Sequence, residues 1–230
     1  MDEPTVKNSW LMRRVELALR GGLTRAYETI RVDPEQFLFH LRAAHELSVE
    51  SYDGLFTLPV ERLDEVAEQT VRAGMKLAAA EGAGFGLGGM LTIVPDLGVL
   101  AAITMRTLQK LSLVYGFQFN SDEEVAELWV AAASAAGVDI SRELLEKSVI
   151  NRFVPKVIQK IAVSASADFV ERWTARLIPL VSSGVGATLN YYFVRAWGNR
   201  ALAHFHQRHL ASREQRKKSA ILLPAPQQGE

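Results

Sequence analysis

Between Gly82 and Met105 the chain runs for 24 residues with a single ionisable side chain, Asp96. Such a stretch demands cover from other apolar surface, inside a folded domain or in a bilayer, because leaving it in water forfeits the favourable free energy of burial. A second uncharged run, Leu177 to Val194, repeats the demand over 18 residues. Neither is a clean membrane span, which needs roughly 20 predominantly apolar residues. Pro95-Asp96 divides the first, and the second contains Pro179, Ser182, Ser183, Thr188 and Asn190. Buried core helices are the first expectation and a shallow or re-entrant hairpin the second.

The rest of the chain supplies partners with helical periodicity, and no run of alternating β-branched residues argues for a strand. A first helix is predicted from about Val6 to Ile30, weakened by Gly21-Gly22. Asp33-Pro34 then reads as an N-cap followed by proline at the first helical position, with Phe37, Leu41, Ala44 and Ser48 on one face. After a loop at Tyr52-Asp53-Gly54, the positions Val60, Leu63, Ala67, Val71, Gly74 and Ala78 predict a third amphipathic helix. A helix after Pro95-Asp96 passes Arg106 and Lys110 and stops at Tyr115-Gly116, where glycine permits the left-handed turn. Ser121 and Glu124 have capping-box spacing, and Gly137 closes the helix they open. Two further helices are predicted over 141–152 and 155–178, before a last one carrying Phe193, Trp197, Ala201 and Phe205. These elements predict an all-α, compact, bundle-like multi-helix single domain with no sheet over 1–218, and a disordered tail over 219–230.

Charge narrows the possible partners. Basic and acidic residues both number 26, so no global field recruits nucleic acid. Residues 195–230 nevertheless hold 7 basic and 2 acidic side chains, against 19 and 24 before them. Arg208, Arg213, Arg216, Lys217 and Lys218 face Glu214 alone and form a candidate membrane-surface segment. With no cysteine the chain offers no disulfide, thiol nucleophile or thiolate metal site, in keeping with a cytoplasmic location. The N-terminal residues lack the pattern of a secretory signal.

Chemistry-bearing motifs are sparse. Gly84 to Gly89 formally satisfies GxGxxG, but no strand precedes it, and the position where a ribose-binding acid would fall is Gln109. Gly82, Gly84, Gly86, Gly88 and Gly89 read instead as a close-packing surface or a flexible loop. Gly184 and Gly186 repeat the spacing in the second apolar run. Asp96 is expected to cap its helix; its functional alternative is a polar site with Arg106 and Asn190. His40 and His45 fall on different helix faces, and His204, His206 and His209 read as a solvated polar face without the ligands of a metal site. No catalytic residue, cofactor site or metal site emerges.

The glycine cluster, Pro95-Asp96-Leu97, Arg106, Tyr115-Gly116-Phe117, Pro179 and Gly184-x-Gly186-Ala187-x-x-Asn190 together resemble the EcsC family from about Leu63 to Leu210. That family is named for a protein encoded beside the subunits of an ABC transporter, so the resemblance implies an accessory role in transport or secretion. A non-enzymatic protein on the cytoplasmic membrane surface is the leading expectation, with anionic lipid or a transporter component as partner. The alternative is an enzyme or lipid-binding protein with a pocket near Asp96 and Asn190.

Overall fold

A computed structural model describes residues 3–29, 31–85, 93–140, 150–174 and 183–222. The described residues form α1 (Glu3–Thr29), α2 (Pro34–His45), the 3₁₀ turn η1 (Tyr52–Thr57), α3 (Val60–Phe85), α4 (Ile93–Val114), α5 (Asp122–Ala135), α6 (Ile150–Thr174) and α7 (Ser183–Leu222). No strand occurs among them, so the all-α class stands.

Helix α4 is the axis of the bundle, touching α1, α2, α3, α5 and α7. Its segment Leu97–Val114 has a mean hydropathy of 1.3, enough by length and composition to cross a membrane, yet 72% of it is buried within the protein. Over these residues the first apolar run is therefore a core helix. Buried polar side chains in this segment find partners within the protein, as burial requires. Thr104 and Thr107 donate to the carbonyls of Leu100 and Ile103 at 2.7 and 2.8 Å, and Gln109 Oε1 accepts the Val32 N–H at 2.9 Å.

The helix ends follow from local chemistry. Asp33 accepts from the N–H groups of Glu35 and Gln36, and Ser121 and Glu124 form a reciprocal capping box. Gly116 and Gly137 adopt φ of 87° and 73°. In each case the following residue bonds back five positions and the glycine three, the pairing that satisfies the last carbonyls of a helix.

Three glycines let the helices approach closely. A Cβ on Gly22 would lie 2.8 Å from the Gly98 Cα, where α1 crosses α4, so Gly21-Gly22 does not interrupt α1. One on Gly74 would lie 2.5 Å from Thr107 Oγ1 and 3.3 Å from Val194, and one on Gly198 would lie 2.7 Å from Val71. Helices α3 and α7 thus run antiparallel in tight register. Of the glycines expected to pack, Gly82 and Gly84 lie in the last turns of α3, and Gly184 and Gly186 in the first turns of α7. Gly86, Gly88 and Gly89 are outside the described residues.

Some boundaries differ from expectation. Ala44 and Ser48 are exposed and α2 ends at His45, so its buried face is Phe37 and Leu41 alone. Helix α6 runs through Pro155, which is exposed while its neighbours Phe153, Val154, Val157 and Ile158 are buried. That burial offsets the missing hydrogen bond of the proline. Helix α7 continues past Lys218 to Leu222, so four residues assigned to a disordered tail are helical; 223–230 lie outside the described residues.

Gly74→Ala is expected to destabilise the protein by about 1–3 kcal/mol through overpacking. Gly21→Ala, at an exposed position with nothing within 4 Å, should stabilise it by roughly 0.5–1 kcal/mol. Thermal melts of the two variants compare them directly. A Gly74→Ala midpoint as high as that of Gly21→Ala would refute the close approach.

Candidate functional site

Polar chemistry converges where the end of α4 meets α3 and α7. Tyr115 is fully buried, and its hydroxyl donates to Asp64 Oδ1 of α3 at 2.5 Å. His206 Nδ1–H of α7 donates to the same oxygen at 2.8 Å. One turn on, His209 Nδ1–H donates to the Tyr115 carbonyl at 2.9 Å. A carbonyl can only accept, so this bond places the proton of the neutral imidazole on Nδ1 and leaves Nε2 a bare acceptor. That Nε2 is buried and has no hydrogen-bond partner.

Aromatic rings enclose this polar group. Phe56 of η1 stacks on His209 with centroids 4.6 Å apart and planes 5° from parallel, and the Arg216 guanidinium lies 4.0 Å from the Phe56 centroid. Arg216 also donates to Asp53 at 2.9 Å. Arg208 lies 4.1 Å above Phe117 and pairs with Glu127 at 3.8 Å. Between η1, the Gly116 turn, the start of α5 and the end of α7 a cleft of about 790 Å³ opens, lined by Phe56, Phe117, Arg208, Ser212 and Arg216 among others. Gly116 makes the arrangement possible, since a Cβ there would lie 2.6 Å from the Phe56 ring.

Burial shapes the titration of the group. It lowers the His209 pKa below its ordinary 6.5, against the opposing effect of the Tyr115 carbonyl. Burial and the bond to Asp64 raise the Tyr115 pKa far above 10, so its hydroxyl stays protonated and donating. Chemically the arrangement is a clamp, because the Asp64 oxygen is shared by two donors and the buried Tyr115 hydroxyl is committed to it. Among the described residues no three His, Asp or Glu side chains converge as a metal-binding set.

Arg106 and Asn190, two of the residues expected from sequence, lie away from this clamp. Asn190 is buried on α7, one turn before Val194, whereas Arg106 is exposed on the strip of α4 that carries Lys110 towards α2. Neither lines the cleft beside the clamp. The Asp96 side chain lies outside the described residues. The histidines require correction. His209 is buried under Phe56 and His206 is paired with Asp64, so these two are not on a solvated face, whereas His204 lines an open cleft with Glu127 and Arg208. His40 and His45 likewise meet edge to face at 5.4 Å. Of the five basic residues, Arg208 and Arg216 are held by the protein itself. Asp64 and Phe56 carried no signal, being ordinary members of a helix face and a loop, but Tyr115-Gly116-Phe117 stood among the motif residues.

Fold and clamp define an α-helical bundle closed by an aromatic and charged knot, without a recognisable catalytic set among the described residues. The model of the EcsC protein family matches residues 23–210, and the chain belongs to that family. It is 30% identical to Protein EcsC of Bacillus subtilis (strain 168) over 154 residues, covering 66% of this chain and 65% of that protein. It is 28% identical to the uncharacterized protein YdbA of the same organism over 75 residues, covering 33% of this chain and 28% of YdbA. The chain thus spans less than two thirds of the length of these curated relatives. No solved structure matches it.

A pH dependence of stability follows from His209. Its folded pKa is below 6.5, so under acid conditions the unfolded chain binds more protons. The contribution is complete above about pH 6.5 and is lost as pH falls through the folded value. His45 and His204 are shifted in the same direction by burial. His209→Asn keeps an N–H to offer Tyr115 but does not titrate. Its melting temperature is expected to fall less steeply than that of the wild type from about pH 8 to about pH 5. Parallel slopes would exclude His209 as a contributor.

Proposed function

We propose that this EcsC-family protein is a non-enzymatic accessory protein that attaches peripherally to the cytoplasmic face of a membrane in the service of transport or secretion. The observation supporting attachment is the basic end of α7. Lys217 and Lys218 are exposed and Arg213 is half-buried, with Glu214 the sole acid between Arg208 and Ser219. Each cation near an anionic surface contributes about 1 kcal/mol, so these three supply about 3 kcal/mol, enough for reversible attachment. The link to transport or secretion rests on the family context.

Substitution tests this better than truncation, because removing the end of α7 would also remove the His209 and Arg216 contacts. The variant Arg213→Gln/Lys217→Gln/Lys218→Gln is expected to bind vesicles of phosphatidylglycerol and phosphatidylcholine about tenfold or more weakly than wild type in co-sedimentation. Wild-type binding should decline as salt rises and be weak on phosphatidylcholine alone. Equal binding by both forms would take the end of α7 out of the attachment.

A further inference from the structure

The basic helix α7 lies beside acidic helices, and a second basic surface carries exposed apolar residues as well. Helix α7 carries seven basic residues and one acidic, but it packs between α3, with five acids and three bases, and α5, with four acids and no base. Helices α1 and α6, packed side by side, carry five bases to three acids and four bases to two. Both helices are net positive in themselves, although the acidic α5 packs against α6 as well as against α7.

The outer face of α1 also has a distinct shape. Val15, Leu19, Leu23 and Ala26 point inward and are buried. Trp10 and Leu17 are 52% and 58% exposed. They are seven residues apart, so they stand within about 20° of one another on the opposite side of the helix. Exposed Arg13, Arg14, Arg20 and Arg25 surround them, and the Arg14 guanidinium lies 4.5 Å from the Trp10 ring centroid. Beside α1, helix α6 exposes Arg152, Lys156 and Lys160, together with Val163.

We infer that the α1–α6 side of the bundle docks on an anionic lipid bilayer, with Trp10 and Leu17 entering the headgroup region and the flanking arginines meeting lipid phosphates. This rests on the membrane reading above and gives attachment its principal surface. An amphipathic ring at headgroup depth with cations beside it is the arrangement an interfacial helix uses. A second copy of the chain fits poorly, because a two-fold contact would set arginines against arginines. The apolar pair forms a ridge on a convex helix, which a fluid surface accommodates without a matching groove. Trp10 and Leu17 precede residue 23, where the family match begins, so this surface is argued for this chain.

The test uses the full chain with phosphatidylglycerol-phosphatidylcholine vesicles and compares three proteins: wild type, Trp10→Ser/Leu17→Ser, and the glutamine variant of α7. The serine variant should keep its melting temperature, lose about tenfold in vesicle partition, and retain only binding that salt abolishes. If it proves unstable, Arg13→Gln/Arg20→Gln, at exposed positions, is expected to lower partition in the same assay. Wild-type partition by the serine variant with loss in the α7 variant would overturn docking through α1 and leave the membrane reading standing. Absence of wild-type binding to anionic vesicles would overturn both. Intact vesicle binding by a serine variant that has lost a wild-type dimer in gel filtration would assign the ridge to a second copy and overturn the proposal.

Discussion

Everything at the polar end of the bundle depends on how closely α3 lies against α4 and α7. At Gly74 there is no room for a methyl group beside Thr107, and at Gly198 none beside Val71. Contacts this tight fix axial register as well as separation, since sliding either helix would drive a side chain into backbone. Ten residues towards the start of α3, about 15 Å along its axis at 1.5 Å per residue, the same register sets Asp64 against Tyr115 and His206. The polar clamp is thus a consequence of packing between small residues some distance away.

Once placed, the clamp holds the far half of a 40-residue helix to the body. Apolar burial of Phe205 is supplemented by the two histidine bonds, the stack of Arg216, Phe56 and His209, and the placement of Arg208 on Phe117. The unpartnered Nε2 of His209 carries a desolvation cost, and it gives the stack its sensitivity to acid. Two arginines of the basic C-terminal segment, Arg216 and Arg208, are held here by Asp53 and Glu127.

Local chemistry was the legible part of the fold. The caps at Asp33 and Ser121 and the glycine turns at 116 and 137 need only neighbours within one turn, and the buried face of α3 needs only its own periodicity. Less was legible where a residue's surroundings come from distant chain. Asp64 and His206 are 142 positions apart, and nothing in either segment announces the other. His206 and His209 read as solvated because their helix turns polar there, while the rings that meet them come from Tyr115 and Phe56. Even a helix end escaped where its residue was atypical: Glu46 takes φ of 54°, a conformation that usually calls for glycine or asparagine.

Net neutrality conceals the electrostatic arrangement most relevant to an approaching surface. Screening in physiological salt acts over about 8 Å, so a bilayer responds to local patches and not to the chain's overall charge. Around α7, an acid on α5 lies within contact of a cation, as the pair of Glu127 with Arg208 shows. A surface approaching that side meets both signs at once. On α1, the cations flank a tryptophan and a leucine, with half-buried Glu16 beside Leu17 in sequence and exposed Glu28 at the far end of the helix. In the proposed docking the acidic α3 is turned away from the bilayer and α1 towards it. Apolar contact then adds to attraction at the same place, whereas at the end of α7 the aromatic rings are committed to the interior and charge would act alone.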